Sequence, residues 1–554
     1  MATCVLLQGI LLLLLPMPTT APCYTATRSE CLKYKTFVPG SELAGEGMDV
    51  TSLKRSGSYP VYTTKYQQRD GTCTLCTNSL QDEKPQRLPV ALTHWRAQSS
   101  VCQRQVFKDQ VTSVESVAQD AAKKINNNWK VGLDVTPKPF INARMTIAGS
   151  HSEEANFAAG KTFHDQYSFT KDEVACRFYS FKLVHNPPLH PQFKKALRAL
   201  LPEFNKSTES EYFRLIANYG THFIQSMTLG GRISALTALR TCELALQGVT
   251  AREVEDCLNL EAAVNIGSKA TVSSEAKACE EKKKKHNIQY SFHQTYEERY
   301  VNVVGGHHSS SHDLLFGKRT GPEEFSRWVD SLKATPDLVD YALEPLHVLL
   351  RRHDPHREAL RQAVSKYVLD KARWSKCSRP CPMGHHSGQD PCLCVCHNTA
   401  LTNQGCCPRH KGMANLKVKD LQATGLWGDW ITATDAYVKA FFGNREQRTA
   451  TVWNNNNPKW GETLEFKDEI LLTAGPLRVQ VWDADSGWDD DLLGTCDTKP
   501  KSGLHEVKCN LNHGQLKFFY EVKCLNHLTG DSCQDYVSQG RLGEPPGNRS
   551  GPVW

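Results

Sequence analysis

Seven aspartates crowd into two short stretches near the C-terminal end of the chain. Asp429 and Asp435 lie six positions apart, and Asp483, Asp485, Asp489, Asp490 and Asp491 follow the alternating run Leu477, Val479, Val481. A lone aspartate in a loop is ordinarily a turn former. Seven exceed that need, and carboxylates this close repel one another unless a cation lies between them. Calcium, a hard ion that takes about six to eight oxygens in a flexible shell, suits such a set better than zinc or copper. Trp427, Trp430 and Trp488 border the same stretches. An indole favours the bilayer interface, and a bound cation offsets carboxylates that would repel anionic headgroups, so these three are expected to contact membrane.

The elements that must position these residues are short alternating strands (Leu416, Val418; Tyr437, Val438; Leu477, Val479, Val481) separated by polar loops, the texture of a β-sandwich. Trp453, Trp460 and Trp482 lie on or beside those strands and are read as structural. The order of elements resembles the C2 family, with 429–435 as the first loop, 454–466 as the second and 483–491 as the third. The resemblance implies Asp429, Asp435, Asp483, Asp485 and Asp491 as the main calcium ligands. Asp489 and Asp490 are extra acids beside that pattern, and Asn454, Thr432 and the carbonyls of Gly428, Ala484 and Trp488 are weaker donors.

At 554 residues the chain exceeds one hydrophobic core. The apolar run from Val5 to Leu15, too short to span a bilayer and followed by small residues and proline, predicts a secretory signal over 1–21. Removing it takes one of the 21 cysteines and leaves an even number, suited to disulfides in an oxidising compartment. Asn205 and Asn548 begin glycosylation sequons, in keeping with secretion. The net charge of +7 is spread among 59 acidic residues, which excludes a nucleic-acid footprint. Seven cysteines between Cys377 and Cys407 have little apolar sequence around them, so disulfides must replace a core there; the pattern resembles an epidermal-growth-factor-like (EGF-like) module.

No second apolar run of 18 residues is present, so a membrane crossing requires amphipathic segments. The clearest is 257–279, where even positions from Leu258 to Ala276 are apolar or small and odd positions are nearly all polar, with NIQYSF (287–292) as its candidate partner strand. A second candidate runs through Trp129, Val131, Leu133 and Val135 and, beyond Pro137 and Pro139, Ile141, Ala143, Met145 and Ile147. The same alternation occurs in half-buried strands of soluble sheets, and the 258–276 stretch is rich enough in Ala and Ser to be helical before insertion.

Tyr219, Gly220, Thr221, His222 and Phe223, followed six residues later by Gly230 and Gly231, resemble the signature of the membrane-attack-complex/perforin family. The preceding helical stretch is expected to start on a capping box of Thr208 and Glu211. His222 is read as structural, since no Ser/His/Asp set, G-x-S-x-G or H-E-x-x-H accompanies it, and an enzyme is not expected. Gly230 and Gly231 are expected to let a sheet bend and another segment approach.

The resemblance implies a multidomain α+β chain: a bent antiparallel sheet whose helical clusters refold to β-hairpins (22–372), the EGF-like module (373–411), a C2 β-sandwich (412–535) and a tail (536–554). It further implies calcium-dependent binding to the phospholipid membrane of a target cell, a ring-shaped homo-oligomer, and a transmembrane barrel that delivers granule serine proteases in cell killing. The implied route is secretion through cytolytic granules to the target plasma membrane and endosome. The alternatives are a complement-like terminal pore component and a calcium-dependent membrane binder without lytic activity.

Overall fold

The computed structural model describes residues 22–99, 102–106, 111–136, 143–267, 272–307, 313–317, 321–376, 380–381, 383–388, 392–428, 432–485 and 490–540. The signal stretch, Pro137 to Ile141 and Asn548 lie outside them.

Two long strands, Tyr167–Leu183 and His222–Arg240, pair antiparallel over almost their whole lengths and form the spine of the central sheet. Their outer neighbours change halfway. Asp337–Pro345 pairs with residues from His222 to Gly230, and Arg299–Val304 takes over at Arg232. On the other edge Leu92–Ala97 covers Tyr179 to Leu183, and Gln103–Val106 covers Asp172 to Ala175.

The change of partner coincides with a bulge between Leu229 and Gly230. A Cβ on Gly230 would lie 2.0 Å from the carbonyl oxygen of Cys176, and one on Gly231 would lie 2.6 Å from the Trp328 ring. Gly305, at φ +77°, closes the same corner with its Cβ position 2.3 Å from the Gly230 carbonyl. At Gly230 and Gly305 neighbouring backbone comes too close for a side chain, and at Gly231 the Leu332 and Trp328 side chains fill the place of one.

Both helical clusters hang from the same end of this sheet. Val114–Ala122 and Glu153–His164 lie in the chain between the strands Gln103–Val106 and Tyr167–Leu183. Ala251–Asn265 and Val272–Lys285 lie between His222–Arg240 and Arg299–Val304. The first pair packs Val114, Val117, Ala118, Ala155 and Ala158 against Phe169, Leu236 and Ala238. It is also docked through buried charge: Lys171 on the sheet reaches Asp120 at 2.8 Å, and Lys124 reaches Glu154 at 3.0 Å. Burial and neighbouring cations push the Lys124 ammonium down to about 8, while Lys124 and Lys171 overcome the burial of Glu154 and hold it at about 2.

Three sequence expectations need correction. Residues 287–292 are not a strand: Phe292–Thr295 is a helical turn whose first amides, Phe292 N and His293 N, donate to the Glu261 carboxylate at 2.9 Å each. The segment from Trp129 to Val135 is irregular rather than alternating, because Asn127 exchanges two 2.9 Å hydrogen bonds with Leu343 and pins it to the sheet edge. Among the described residues of its continuation, Ala143–Thr146 is a strand, paired with Arg373–Lys376. The capping box at Thr208 is absent; the Thr208 hydroxyl donates to the Glu203 carbonyl at 2.9 Å instead of accepting from the helix.

The EGF-like module carries the bonds Cys381–Cys394 and Cys396–Cys406, and Cys407 crosses to Cys242 at the end of the long strand His222–Arg240. From Met413 the chain forms two packed sheets, Met413–Thr424 with Gln515–Cys524 at the centre of one and Ala436–Phe442 with Leu477–Asp483 at the centre of the other. The bonds Cys257–Cys279, Cys496–Cys509 and Cys524–Cys533 are present, as proximity in sequence suggests.

Candidate membrane and cation site

The acidic loops meet at one end of the sandwich. Asp483 ends a central strand opposite Ala436, so the sheet register places its carboxylate beside Asp435. Asp483 is 2 % exposed; its Oδ1 accepts from the Asp435 amide at 2.7 Å, and Oδ2 faces Gly428, where a Cβ would sit 1.6 Å away. Only glycine leaves that oxygen room. Asp491 pairs with Asp483 across the next strand, exposed at the loop edge.

Asp490 stands differently. Its Oδ2 accepts from the Tyr437 hydroxyl at 2.7 Å and Oδ1 from the Asp485 amide at 3.2 Å. The Tyr437 bond holds its carboxyl below the usual range, while burial and Asp490 push Tyr437 up to about 12.

The second loop is a splint. Asn454 N donates to Asp435 Oδ1 at 2.6 Å, Asn455 N donates to the Thr434 carbonyl at 2.8 Å, Asn456 Oδ1 accepts from Thr434 N at 2.9 Å, and Asn457 Oδ1 accepts from Gly425 N at 2.9 Å. Asn454 Oδ1 accepts from Ala433 N at 3.3 Å, which makes it a strut of the first loop as well as a weak donor. The run of four asparagines is visible in the sequence, but its bracing role is not.

Thr432 is exposed, and the Ala484 amide donates to the Asp435 carbonyl at 2.9 Å. Asp429, Trp430, Trp488 and Asp489 lie outside the described residues. Among the described residues no three carboxylate, imidazole or thiol side chains converge as a cation cage. What they supply is the Asp435 and Asp483 pair, oxygen donors only, with Gly428 making room for Asp483 Oδ2. That donor set fits calcium.

Trp427 is 44 % exposed with its edge against His513. Trp460 is buried and donates to the Ala436 carbonyl at 3.2 Å, and Trp482 lies half-buried under Lys439, so both are structural as expected. Trp453 is not: it sits in a turn rather than a strand and is 68 % exposed, because the sandwich holds the backbone of its neighbours Val452 and Asn454 and leaves its side chain outside.

Of the family-signature residues, half-buried Tyr219 ends the helix Glu209–Tyr219, Gly220 caps it, and Thr221, His222 and Phe223 are buried where the long strand begins. Thr221 Oγ1 accepts from Val50 N at 3.0 Å, and His222 meets Thr221 Oγ1 at 2.8 Å and the Trp129 carbonyl at 3.0 Å. Burial keeps this imidazole neutral down to about 4, so it is a packed hydrogen-bonding element with no catalytic partner. Gly220, at φ +81°, passes 2.4 Å from Met48 N at its Cβ position; Tyr219 packs its ring edge on Phe193, and Phe223 is buried. Asn205 is exposed, with its side-chain oxygen accepting from the Ser207 amide at 2.9 Å.

One contact has no signal in sequence. Tyr536 donates to Asp165 Oδ2 at 2.6 Å and Gln539 N to Oδ1 at 3.2 Å, so the end of the described chain grips the residue that caps the helix Glu153–His164.

Comparison with known proteins places these features in a family. The MAC/Perforin domain family matches residues 37–377, the Perforin-1-like EGF domain 376–409, and the C2 domain 414–514. Perforin-1 of Homo sapiens is 65 % identical over 555 residues, covering 100 % of both chains, and Perforin-1 of Mus musculus is 62 % identical with the same coverage. The complement component C8 alpha chain of Oryctolagus cuniculus is 24 % identical, covering 79 % of this chain and 75 % of its own.

Proposed function

Because the chain belongs to the membrane-attack-complex/perforin family and is a secreted pore-forming cytolytic protein, we propose that its acidic loops are a calcium trigger and its two helix pairs the material of the pore. It binds membranes and oligomerises as its family does, and its C2 domain is of a typically calcium-binding kind. The domain limits that serve this reading are 22–372, 373–411, 412–535 and a tail 536–554 behind a signal over 1–21. The finer steps are a ring-shaped homo-oligomer on a phospholipid target membrane, passage of granule serine proteases, and no enzymatic activity of its own. Storage in cytolytic granules before release goes with them.

The observation that carries this reading is where the helices attach. Each pair joins two strands of one sheet at the same end, so unwinding it prolongs those strands and keeps their pairing with Tyr167–Leu183 and His222–Arg240; among the described residues of the first segment only the short pairing of Ala143–Thr146 with Arg373–Lys376 and the bridge from Ile125 to Tyr341 would part. Each intervening segment, 107–166 and 241–298, exceeds what two membrane-spanning strands of about 10 residues need. Backbone groups in hydrocarbon must all pair, at several kcal/mol each, so single subunits cannot insert stably and a closed ring is required.

The site divides the labour. Asp435, Asp483, Asp485 and Asp491, with Asp429, would hold the cation, with Asp489, Gly428, Thr432, Asn454, Ala484 and Trp488 as lesser donors, while Asp490 braces Tyr437. Bound calcium would neutralise the carboxylates and present a positive face to lipid phosphates. Trp427, Trp430 and Trp488 would then enter the interface.

The decisive assay follows dye leakage and phospholipid hydrolysis together on vesicles. Calcium-dependent leakage with no hydrolysis products is expected, abolished by a chelator. Hydrolysis in step with leakage would support a lipid enzyme, and calcium-dependent binding without leakage a non-lytic membrane protein.

A further inference from the structure

Three large apolar side chains stand exposed around the acidic loops: Trp427 at 44 %, Trp453 at 68 % and Leu492 at 40 %. Each is the sequence neighbour of a residue of the site, respectively Gly428, Asn454 and Asp491. Apolar side chains scattered singly over a surface need no explanation, but two from adjoining loops and a third, Leu492, at the start of the strand Asp491–Thr498 that leaves the acidic loop, together form a rim.

Trp453 is the most exposed of the three, and its backbone is held on both sides. Val452 and Ala436 exchange hydrogen bonds of 2.8 and 3.0 Å, and Asn454 N donates to Asp435 Oδ1. The residue between them has a fixed backbone and an indole directed away from the sandwich core. Among the described residues no ring or cation stacks on it.

We propose that Trp453 is a membrane anchor of the second loop, its indole entering the interfacial layer of a phospholipid bilayer beside Trp427 and Leu492. The proposal rests on the calcium-and-lipid reading above and adds to it a third loop. The occupant follows from continuity: the indole projects from the same rim as Trp427 and is tied through Asn454 to the carboxylate that would hold the cation. An amphipathic ring whose N–H can reach headgroup oxygens suits that layer better than either water or hydrocarbon. Recognition of this kind is insensitive to headgroup charge, unlike the contribution of the acidic loops.

The test compares full-length wild type with Trp453→Ala and Trp453→Phe on phosphatidylcholine vesicles with and without phosphatidylserine. Calcium-dependent co-sedimentation and quenching by brominated phospholipid are the readouts. Trp453→Ala should bind about tenfold more weakly, equivalent to ~1.4 kcal/mol, by a similar factor on both vesicle types. Part of the brominated-lipid quenching should vanish, thermal unfolding should be unchanged, and Trp453→Phe should recover part of the affinity.

Equal binding by Trp453→Ala and wild type would overturn the proposal. So would normal binding with lost lysis, which would assign the indole to a contact with a second copy, or a weakened calcium affinity measured without lipid, which would make it a brace of the site. Failure of wild type itself to bind with calcium would overturn the calcium-and-lipid reading and this proposal with it, a result distinct from the other three.

Discussion

Asp483→Asn is expected to weaken calcium-dependent vesicle binding on the order of 100-fold and to abolish lysis at limiting calcium. The substitution keeps the shape of the side chain and the oxygen that accepts from the Asp435 amide, so the loop stays folded. What it removes is the charge of the most buried carboxylate in the site, whose Oδ2 fits only because Gly428 has no side chain. Without calcium its stability should equal or exceed that of wild type, since a buried, crowded charge is gone. Asp490→Asn is the control: both Asp490 oxygens are occupied by Tyr437 and Asp485, so binding should change by less than about threefold. Normal calcium dependence in Asp483→Asn would remove the acidic loops from the trigger.

Locking the first helix pair to the sheet should stop lysis altogether. Lys161, on the helix Glu153–His164, meets Glu298 at 2.6 Å, and Glu298 also receives Tyr167 at 2.9 Å and Arg240 at 3.0 Å. This hub joins the helix to both long strands at the end from which they would lengthen. Lys161→Cys with Glu298→Cys, bridged directly or through a short reducible linker, should lower lysis by ~100-fold or more when closed, since one pinned subunit leaves a gap in the barrel with unpaired backbone. Vesicle binding should be unaffected, and a mild reductant that spares the buried native disulfides should restore lysis. The comparison is made within one variant, so loss of the ion pair does not confound it. Equal lysis in both states would mean that this pair does not move.

The domain order and the site were legible because their signals are local. Carboxylate crowding, cysteine density and the Tyr219 to Gly231 signature can be read without long-range pairing. The spacing also captured the reason for Gly230 and Gly231, although the bulge itself belongs to the pairing with Tyr167–Leu183. The 257–279 stretch misleads in one respect only. Leu258, Leu260 and Ala262 alternate as in a strand, yet Val254, Cys257, Leu258 and Ala262 also repeat as a helix face, and in this form the helix face is the one buried. Where the sequence misdirected, a distant partner decided. Asn127 found Leu343, Glu261 captured the amides of Phe292 and His293, and Trp453 stayed outside because only the backbone on either side of it was recruited. The Asp165 contact with Tyr536 spans 371 positions and leaves no local trace.

The double periodicity of that stretch gives the most direct test of helix-to-hairpin conversion. Cys257 and Cys279 are bonded with Cα atoms 5.7 Å apart, a separation that also suits residues opposite one another in an antiparallel hairpin, about 5.5 Å. A hairpin in that register pairs Leu258 with Ala278, Leu260 with Ala276 and Val264 with Val272 on one face, and Asn259 with Lys277 on the other. The native bond thus permits the conversion and fixes its register. On a helix, residue 259 lies about 200° round from 257, so Asn259 and Lys277 do not share the face that the bond joins; on strands they do. The measurement is disulfide formation between Asn259→Cys and Lys277→Cys before and after pore assembly. The bond should be absent in the free chain and form in the lytic ring, whereas Asn259→Cys with Glu275→Cys should form it in neither. Equal cross-linking before and after assembly, or none in active pores, would contradict the conversion of these helices into a membrane-spanning hairpin.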